Sequence, residues 1–470
     1  MWMVGMCIWT GPLAKRVSRS ANRLVRCILL AASCVLLRDA ALLAQENRPE
    51  RLEWFRDQGL GLFIHWSVDS QLGVIISHSL AGASDDYVNR FYSDLPKTFD
   101  PTHFDADEIA RLAKVAGVRY MVFTTKHHNG FAMWETKSTP FNIMQTPYAK
   151  DVTKDLFTAF RKQEIATGVY FSPDDFLWLH ENGRQIQRLV REVQPGVNPG
   201  LMARDQMQMT ELMTGYGPVQ VVFFDGEAKG LREIVWKQQP DAVVTRGAIE
   251  TPEQMVPGDS LPGAWEANMT LGSAWGYQPT SELYKSDHDL LEILIHTRSR
   301  GGNLLLNIGP KPDGSIPVEQ EELLRTLGLW MFINGEAIYA TRPWVVTNEG
   351  DLWFTRSKDK KALYVIVDTP EPWKRGQGRD FVLKTVRATN RTKASVLGQN
   401  DQLVEYAPSV HPVTTFEQKP DGLHVHATRA QRLQDSDVWP YPTVIKLTEV
   451  EENFTPPVVH TLSTQRQGAQ

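Results

Sequence analysis

The chain has 470 residues, of which 42% are hydrophobic and 22% charged, and a formal net charge of −5. That length exceeds one ordinary core and points to two domains, and the composition is that of a globular protein. The negative balance speaks against a nucleic-acid or anionic-membrane surface, both of which select basic patches, and favours a neutral or weakly polar substrate.

Residues 1–44 read as a secretory signal. Lys15, Arg16, Arg19, Arg23 and Arg26 form a basic start, residues 28–37 form a short apolar run, and Ala41 and Ala44 offer small side chains at a cleavage spacing. The run is too short to span a membrane and is interrupted at Arg38. An uncleaved anchor is the alternative, and the stretch before Cys34 bears a weak likeness to a lipoprotein cleavage box. All three cysteines, Cys7, Cys27 and Cys34, lie here. The mature chain is therefore expected to be secreted or periplasmic, without disulfides, thiolate ligands or a membrane span.

Residues 45–345 alternate strand-like and helix-like segments. The apolar run 60–64 ends at His65. Residues 105–116 carry Ile109, Leu112 and Val115 at helical spacing, with Asp105 as cap and Gly117 as stop. The strand 120–123 leads to His127 and His128. A helix over 152–162 precedes the strand 168–171, and one over 206–213 precedes the strand 219–224, which ends at Asp225. Short strands follow at 242–245, near Ala264, and at 303–307. Continuous apolar strands separated by amphipathic helices predict a parallel sheet covered on its outside. His65, His127, His128, Asp225, Arg246 and Glu266 fall at strand C-terminal ends, where a (β/α)8-like barrel builds its active site. No Gly-rich phosphate loop follows the first strand, so a dinucleotide-binding open sheet is disfavoured.

From 346 to 450 the texture changes to short strands, at 352–355, 362–367, 381–383, 423–427 and 444–447, between Gly, Pro and charged turns. This predicts a small antiparallel β-sandwich domain. Residues 451–470 are polar and read as a disordered tail.

Asp225 ends a very apolar strand and precedes Gly226, which leaves room beside its carboxylate. Adjacent His127 and His128 on extended backbone point to opposite sides, so hydrogen bonding to hydroxyls suits them better than a shared metal. Glu266 supplies a second carboxylate from another loop, and glycoside hydrolysis needs such a pair.

The segments Gly61-Leu62-Phe63-Ile64-His65-Trp66, Thr124-Thr125-Lys126-His127-His128-Asn129-Gly130 and Phe223-Phe224-Asp225-Gly226 resemble glycoside hydrolase family 29, the α-L-fucosidases. So do Gly168-Val169-Tyr170-Phe171-Ser172, Trp265-Glu266 with Trp275-Gly276-Tyr277, and Gly301-Gly302-Asn303-Leu304-Leu305-Leu306-Asn307. The resemblance implies hydrolysis of terminal α-L-fucose with retention, through a covalent glycosyl-enzyme and without cofactor or metal. It implies Asp225 as nucleophile and Glu266 as acid/base. It also implies His65, His127, His128, Tyr170, Phe223 and Arg246 as sugar-binding residues, and a fucosylated oligosaccharide or glycoconjugate as partner. Ser67, Asn129 and Phe223 depart from the usual Gly, Asp and Trp. Where a Glu-Trp-Tyr segment often grips the sugar, this chain reads Asp85-Asp86-Tyr87, and Asp85 is the carboxylate expected to stand in. A shifted glycone such as α-L-galactose, or a carbohydrate-binding relative without catalysis, remain open. A metal-dependent hydrolase lacks the expected His-Glu-x-x-His helix.

Overall fold

The computed structural model describes residues 46–454 apart from Ser281. The expected signal segment, and the tail from 455 onward, lie outside the described residues. Among the described residues no helix is long and apolar enough to cross a membrane.

Seven parallel strands form one curled sheet: β1 (Leu60–Ile64), β2 (Tyr120–Lys126), β3 (Ala166–Phe171), β4 (Val221–Phe224), β5 (Val243–Val244), β6 (Glu266–Thr270) and β7 (Asn303–Ile308). Their order is β5-β4-β3-β2-β1-β7-β6. Alternation explains the continuous apolar strands. Leu62 and Ile64 face the outer helices, while Phe63 turns inward to meet Tyr120, Val122, Tyr170, Val221 and Phe223.

Between the two edge strands, the eighth position of the barrel is taken by residues 250–254. Glu250 bridges Trp265 and Glu253 bridges Asn268, both in parallel sense. Pro252 has no N–H, so this segment lends carbonyls without forming a full ladder strand: Asn268 N–H donates to Pro252 O at 2.9 Å. On the other edge, the Asn47 side chain pairs with both backbone groups of Val244, at 2.7 and 2.8 Å.

The helices follow their caps. They are α1 (Pro49–Arg56), α2 (Asp85–Thr98), α3 (Ala106–Val115), α4 (Val152–Lys162), α5 (Phe176–Glu181), α6 (Pro199–Gly215), α7 (Arg232–Gln238), α8 (Asp287–Ser299) and α9 (Val318–Asn334). Asp105 accepts from Glu108 N–H at 2.9 Å, and Asp151 from Lys154 N–H at 2.9 Å. α6 starts earlier than the apolar pattern suggests, because Asn198 caps it and Pro199 occupies its first position. β6 is displaced the other way. It begins at Glu266 rather than ending there, which reverses the depth of that residue in the barrel.

Strands β8 (Thr341–Glu349), β9 (Leu352–Ser357), β10 (Ala362–Val367), β11 (Trp373–Lys374), β12 (Gly378–Leu383), β13 (Val386–Val396), β14 (Thr415–Lys419), β15 (Gly422–Thr428), β16 (Val438–Trp439) and β17 (Thr443–Glu452) build the C-terminal β-domain. A five-stranded antiparallel sheet, β13-β17-β10-β9-β8, packs on the three-stranded β12-β15-β14. β10 is buried on both faces: Leu363 and Val365 face the second sheet, while Tyr364 and Ile366 join the barrel's outer core. The last strand reaches Glu452, two residues into the stretch read as tail.

Candidate active site

The strand ends converge on one cavity of about 130 Å³. Its apolar wall is Phe63, Phe223 and Trp275. Phe223 meets Phe63 edge-on at 5.1 Å between ring centres and stacks on Tyr170 at 5.6 Å. Of the strand-end residues, His65, His127, Asp225 and Arg246 line it, and so does Tyr170, which the family resemblance names. Ile75, Ile76, His78, Arg188, Glu253 and Asn268 line it as well.

Asp225 follows β4, and four residues contact its carboxylate. Tyr170 Oη donates to its Oδ2 at 2.8 Å, and His128 Nε2 stands 3.2 Å from the same oxygen. Arg188 Nη2 and Arg246 Nη1 each lie 3.4 Å from Oδ1. Burial alone pushes a carboxyl up, but the hydrogen bond and charge of His128 and the charge of Arg188 outweigh it. Asp225 is therefore held well below the usual carboxylate range and stays ionised at neutral pH.

The histidines play different parts. Asn307 donates from its amide to Trp275 O at 2.7 Å, so its Oδ1, 2.6 Å from His65 Nδ1, accepts the ring proton. His65 thus turns an acceptor Nε2 to the cavity, and burial takes its pKa down to about 3. Ser77 Oγ accepts Asn129 N–H at 2.8 Å and lies 2.7 Å from His127 Nδ1. Its own proton is left for that nitrogen, so His127 offers Nε2–H. Burial holds His127 neutral as well. His128, expected among the sugar contacts, is fully buried and does not line the cavity. Its Nδ1 bonds Ser172 Oγ and its Nε2 meets Asp225, so it braces that carboxylate instead.

Glu266 is also displaced from its expected place. It opens β6 on the inward face, two residues below the cavity-lining Asn268 on the same strand, and is fully buried. Tyr120 Oη donates to its Oε2 at 2.7 Å, and burial raises its pKa to about 7. The strand alternation that brings Asn268 to the cavity puts Glu266 one layer deeper, out of reach of a substrate.

The second cavity carboxylate is Glu253. Arg246 Nη2 binds its Oε2 at 2.9 Å while Nη1 faces Asp225, so one guanidinium stands between the two carboxylates. Arg246 is itself fixed by Thr251 Oγ1 at 3.1 Å and lies over the Phe223 ring at 4.6 Å. Asp85 and Asp86 do not reach the cavity: they sit exposed at the start of α2, and Asp86 pairs with Arg90 at 2.8 Å. Ile75, Ile76 and His78, from the segment before α2, line the cavity instead. Glu253 in Thr-Pro-Glu and Arg188 in an irregular loop carry no strand-end signal, which is why the sequence pattern passes over them.

His127, His128 and Asp225 form the one group among the described residues whose donor atoms are close enough to share a metal ion. Nδ1 of each histidine is already bonded to a serine.

A buried ionised carboxylate, a second carboxylate and an aromatic wall suit acid/base and nucleophilic work on a neutral sugar. The model of the family described as Alpha-L-fucosidase matches residues 40–336. The chain belongs to the α-L-fucosidase family. Plasma alpha-L-fucosidase of Rattus norvegicus is 30% identical over 421 residues, 80% of this chain and 87% of that protein. A putative alpha-L-fucosidase of Caenorhabditis elegans is 29% identical, over 77% of this chain and 86% of its own. Among solved structures, the alpha-L-fucosidase of Vibrio sp. strain EJY3 superposes with a TM-score of 0.70 at 26% identity, covering 87% of this chain and 75% of that one. The Thermotoga maritima alpha-fucosidase, solved in complex with fucose, gives 0.67 at 25% identity, over 86% and 98%. The barrel with its C-terminal β-domain is thus the α-L-fucosidase fold, and the chain is a glycoside hydrolase of that family.

Proposed function

We propose that the enzyme removes terminal α-L-fucose from oligosaccharides or glycoconjugates with retention, Asp225 serving as nucleophile and Glu253, in place of Glu266, as acid/base. The observation that carries this reading is the pair of cavity carboxylates, one held ionised, on either side of Arg246. In the first step an Asp225 oxygen bonds the anomeric carbon as the glycosidic C–O bond breaks. The leaving oxygen takes its proton from Glu253. In the second step Glu253 takes a proton from water, the water oxygen bonds the anomeric carbon, and Asp225 is released as carboxylate. Neither step calls for a cofactor.

A deoxy sugar is the glycone this reading favours. The aromatic wall of Phe63, Phe223 and Trp275 suits an apolar sugar face. The acceptor on His65 and the donor on His127 suit hydroxyls. The lining by Ile75, Ile76 and His78, with Asp85 outside the cavity, bears on the glycone, so aryl α-L-fucoside and α-L-galactoside should be compared directly. Preferential turnover of the fucoside, with loss of several orders of magnitude in Asp225→Ala, supports the reading. Near-normal turnover by that variant overturns it. Export is proposed from the basic and apolar segment before Ala44. Protein from the native host should begin near Gln45, and an intact Met1 or a lipid on Cys34 contradicts this.

A further inference from the structure

The loop after β3, Ser172-Pro173-Asp174-Asp175, grips Asp225 from two sides. On one side Ser172 Oγ donates to Asp174 O at 2.8 Å and accepts from His128 Nδ1, which sets the His128 ring against Asp225 Oδ2. On the other side the buried Asp174 Oδ2 accepts from Arg188 Nε at 2.8 Å. Arg188 Nη2 then stands 3.4 Å from both the backbone oxygen and Oδ1 of Asp225. The turn itself rests on Asp174. Gly226 has φ +149°, and a Cβ there would lie 2.9 Å from Asp174 Oδ1 and 3.1 Å from Pro173 Cδ. Arg188 comes from the connection 182–198, outside every strand end, and its Nη1 has no hydrogen-bond partner among the described residues although the residue lines the cavity.

We propose that Arg188, anchored by Asp174, is a positioning residue that clamps the Asp225 carboxylate and its turn in the orientation for attack. This rests on Asp225 being the nucleophile. The geometry explains the choice of arginine. A guanidinium spreads its donors in a rigid fork, so Nε reaches Asp174 while Nη2 reaches Asp225, which a lysine ammonium cannot do at once. Oδ2 is taken by Tyr170 and His128 at short range, whereas Oδ1 has only the two long contacts from Arg188 and Arg246. Oδ1 is thus the less committed oxygen, straddled by two cations that are themselves tethered, to Asp174 and to Thr251 and Glu253.

The other groups facing Asp225 are His127, His128 and His78 from the β2 end and the preceding loop, Tyr170 and Asp174 from β3 and its loop, and Arg246 with Glu253 after β5. Burial lowers the pKa of His65, to about 3, and also lowers those of His78 and His127. Removing Arg188 takes away one of the charges that depress Asp225, so the acid limb of kcat/KM moves to higher pH.

The test compares Arg188→Met, Arg188→Lys and Asp174→Asn with the wild type on an aryl α-L-fucoside, across pH, alongside unfolding midpoints. In Arg188→Met, kcat should drop about 10- to 100-fold, the scale of a misaligned reacting group. The acid limb should rise toward the usual carboxylate range. Arg188→Lys should restore the limb but not kcat, and Asp174→Asn should lower kcat in the same way. An unchanged kcat and limb, a change in KM alone, or a kcat loss that tracks a lowered unfolding midpoint without a limb shift each overturn the clamp. A mechanism-based fucosyl label on the wild type separates the two readings. Label away from Asp225 refutes the nucleophile, whereas label on Asp225 with an unaffected Arg188→Met refutes the clamp alone.

Discussion

Replacing Glu253 with alanine should separate chemistry from stability. Its side chain is 44% exposed and its polar contact is the 2.9 Å pair with Arg246, so its loss should cost no more than about 1 kcal/mol of folding free energy. The backbone is held independently by the bridge to Asn268, so the neighbouring segment should not move. For a fucosyl disaccharide, whose leaving oxygen must be protonated, general acid–base help is worth roughly 100- to 10,000-fold, or about 3 to 5 kcal/mol of barrier. A nitrophenolate leaves without protonation, so formation of the glycosyl-enzyme from a nitrophenyl fucoside should be nearly unaffected. Its hydrolysis should then limit turnover, and azide should speed it by bonding the anomeric carbon in place of activated water. The assay is steady-state and burst kinetics on both substrates with and without azide. If both substrates slow alike and azide has no effect, Glu253 merely holds Arg246 and the acid/base lies elsewhere.

Glu266→Gln should leave turnover within a few-fold, because the carboxyl it removes lies beneath the cavity, and it should alter how stability depends on pH. The folded-state pKa of Glu266 is raised to about 7, so its contribution is fully present below the usual carboxylate pKa and is lost as pH rises through about 7. Glutamine does not ionise and still accepts from Tyr120. The variant should therefore gain up to about 3 kcal/mol relative to wild type between pH 4.5 and 8 in urea unfolding. A pH-independent difference refutes this. Exhaustive chelation should leave turnover intact, since the proposed steps use only the carboxyl groups of Asp225 and Glu253. Loss on dialysis against chelator, restored by a divalent ion, contradicts it.

Much of the architecture is readable from residue order because burial on both faces writes it plainly. The run Val221-Val222-Phe223-Phe224 can only be an interior strand, and Asp225-Gly226 after it can only be a rim position. β6 breaks the rule: its inward residues are Glu266, Asn268 and Thr270, so no apolar run marks it. The apolar pair Ala264-Trp265 draws the strand too early and lifts Glu266 to a rim it never reaches. Asp85 misleads for a different reason. As an exposed acid in the first turn of α2, behind the Ser84 cap, it complements the helix dipole, a role that sequence order alone does not distinguish from a cavity carboxylate. Arg188 acquires its role through a contact 37 residues away, and Glu253 through its pair with Arg246 and its bridge to Asn268, and no local pattern encodes them.

The most direct test of the central claim is to react the wild-type enzyme with a 2-fluoro-fucosyl fluoride and map the labelled peptide by mass spectrometry. A slow-turnover ester on Asp225, formed stoichiometrically and released as the enzyme regains activity, is the predicted result. Label on Glu253 or another residue, or inhibition with no covalent mass change, contradicts the proposed retaining mechanism through Asp225.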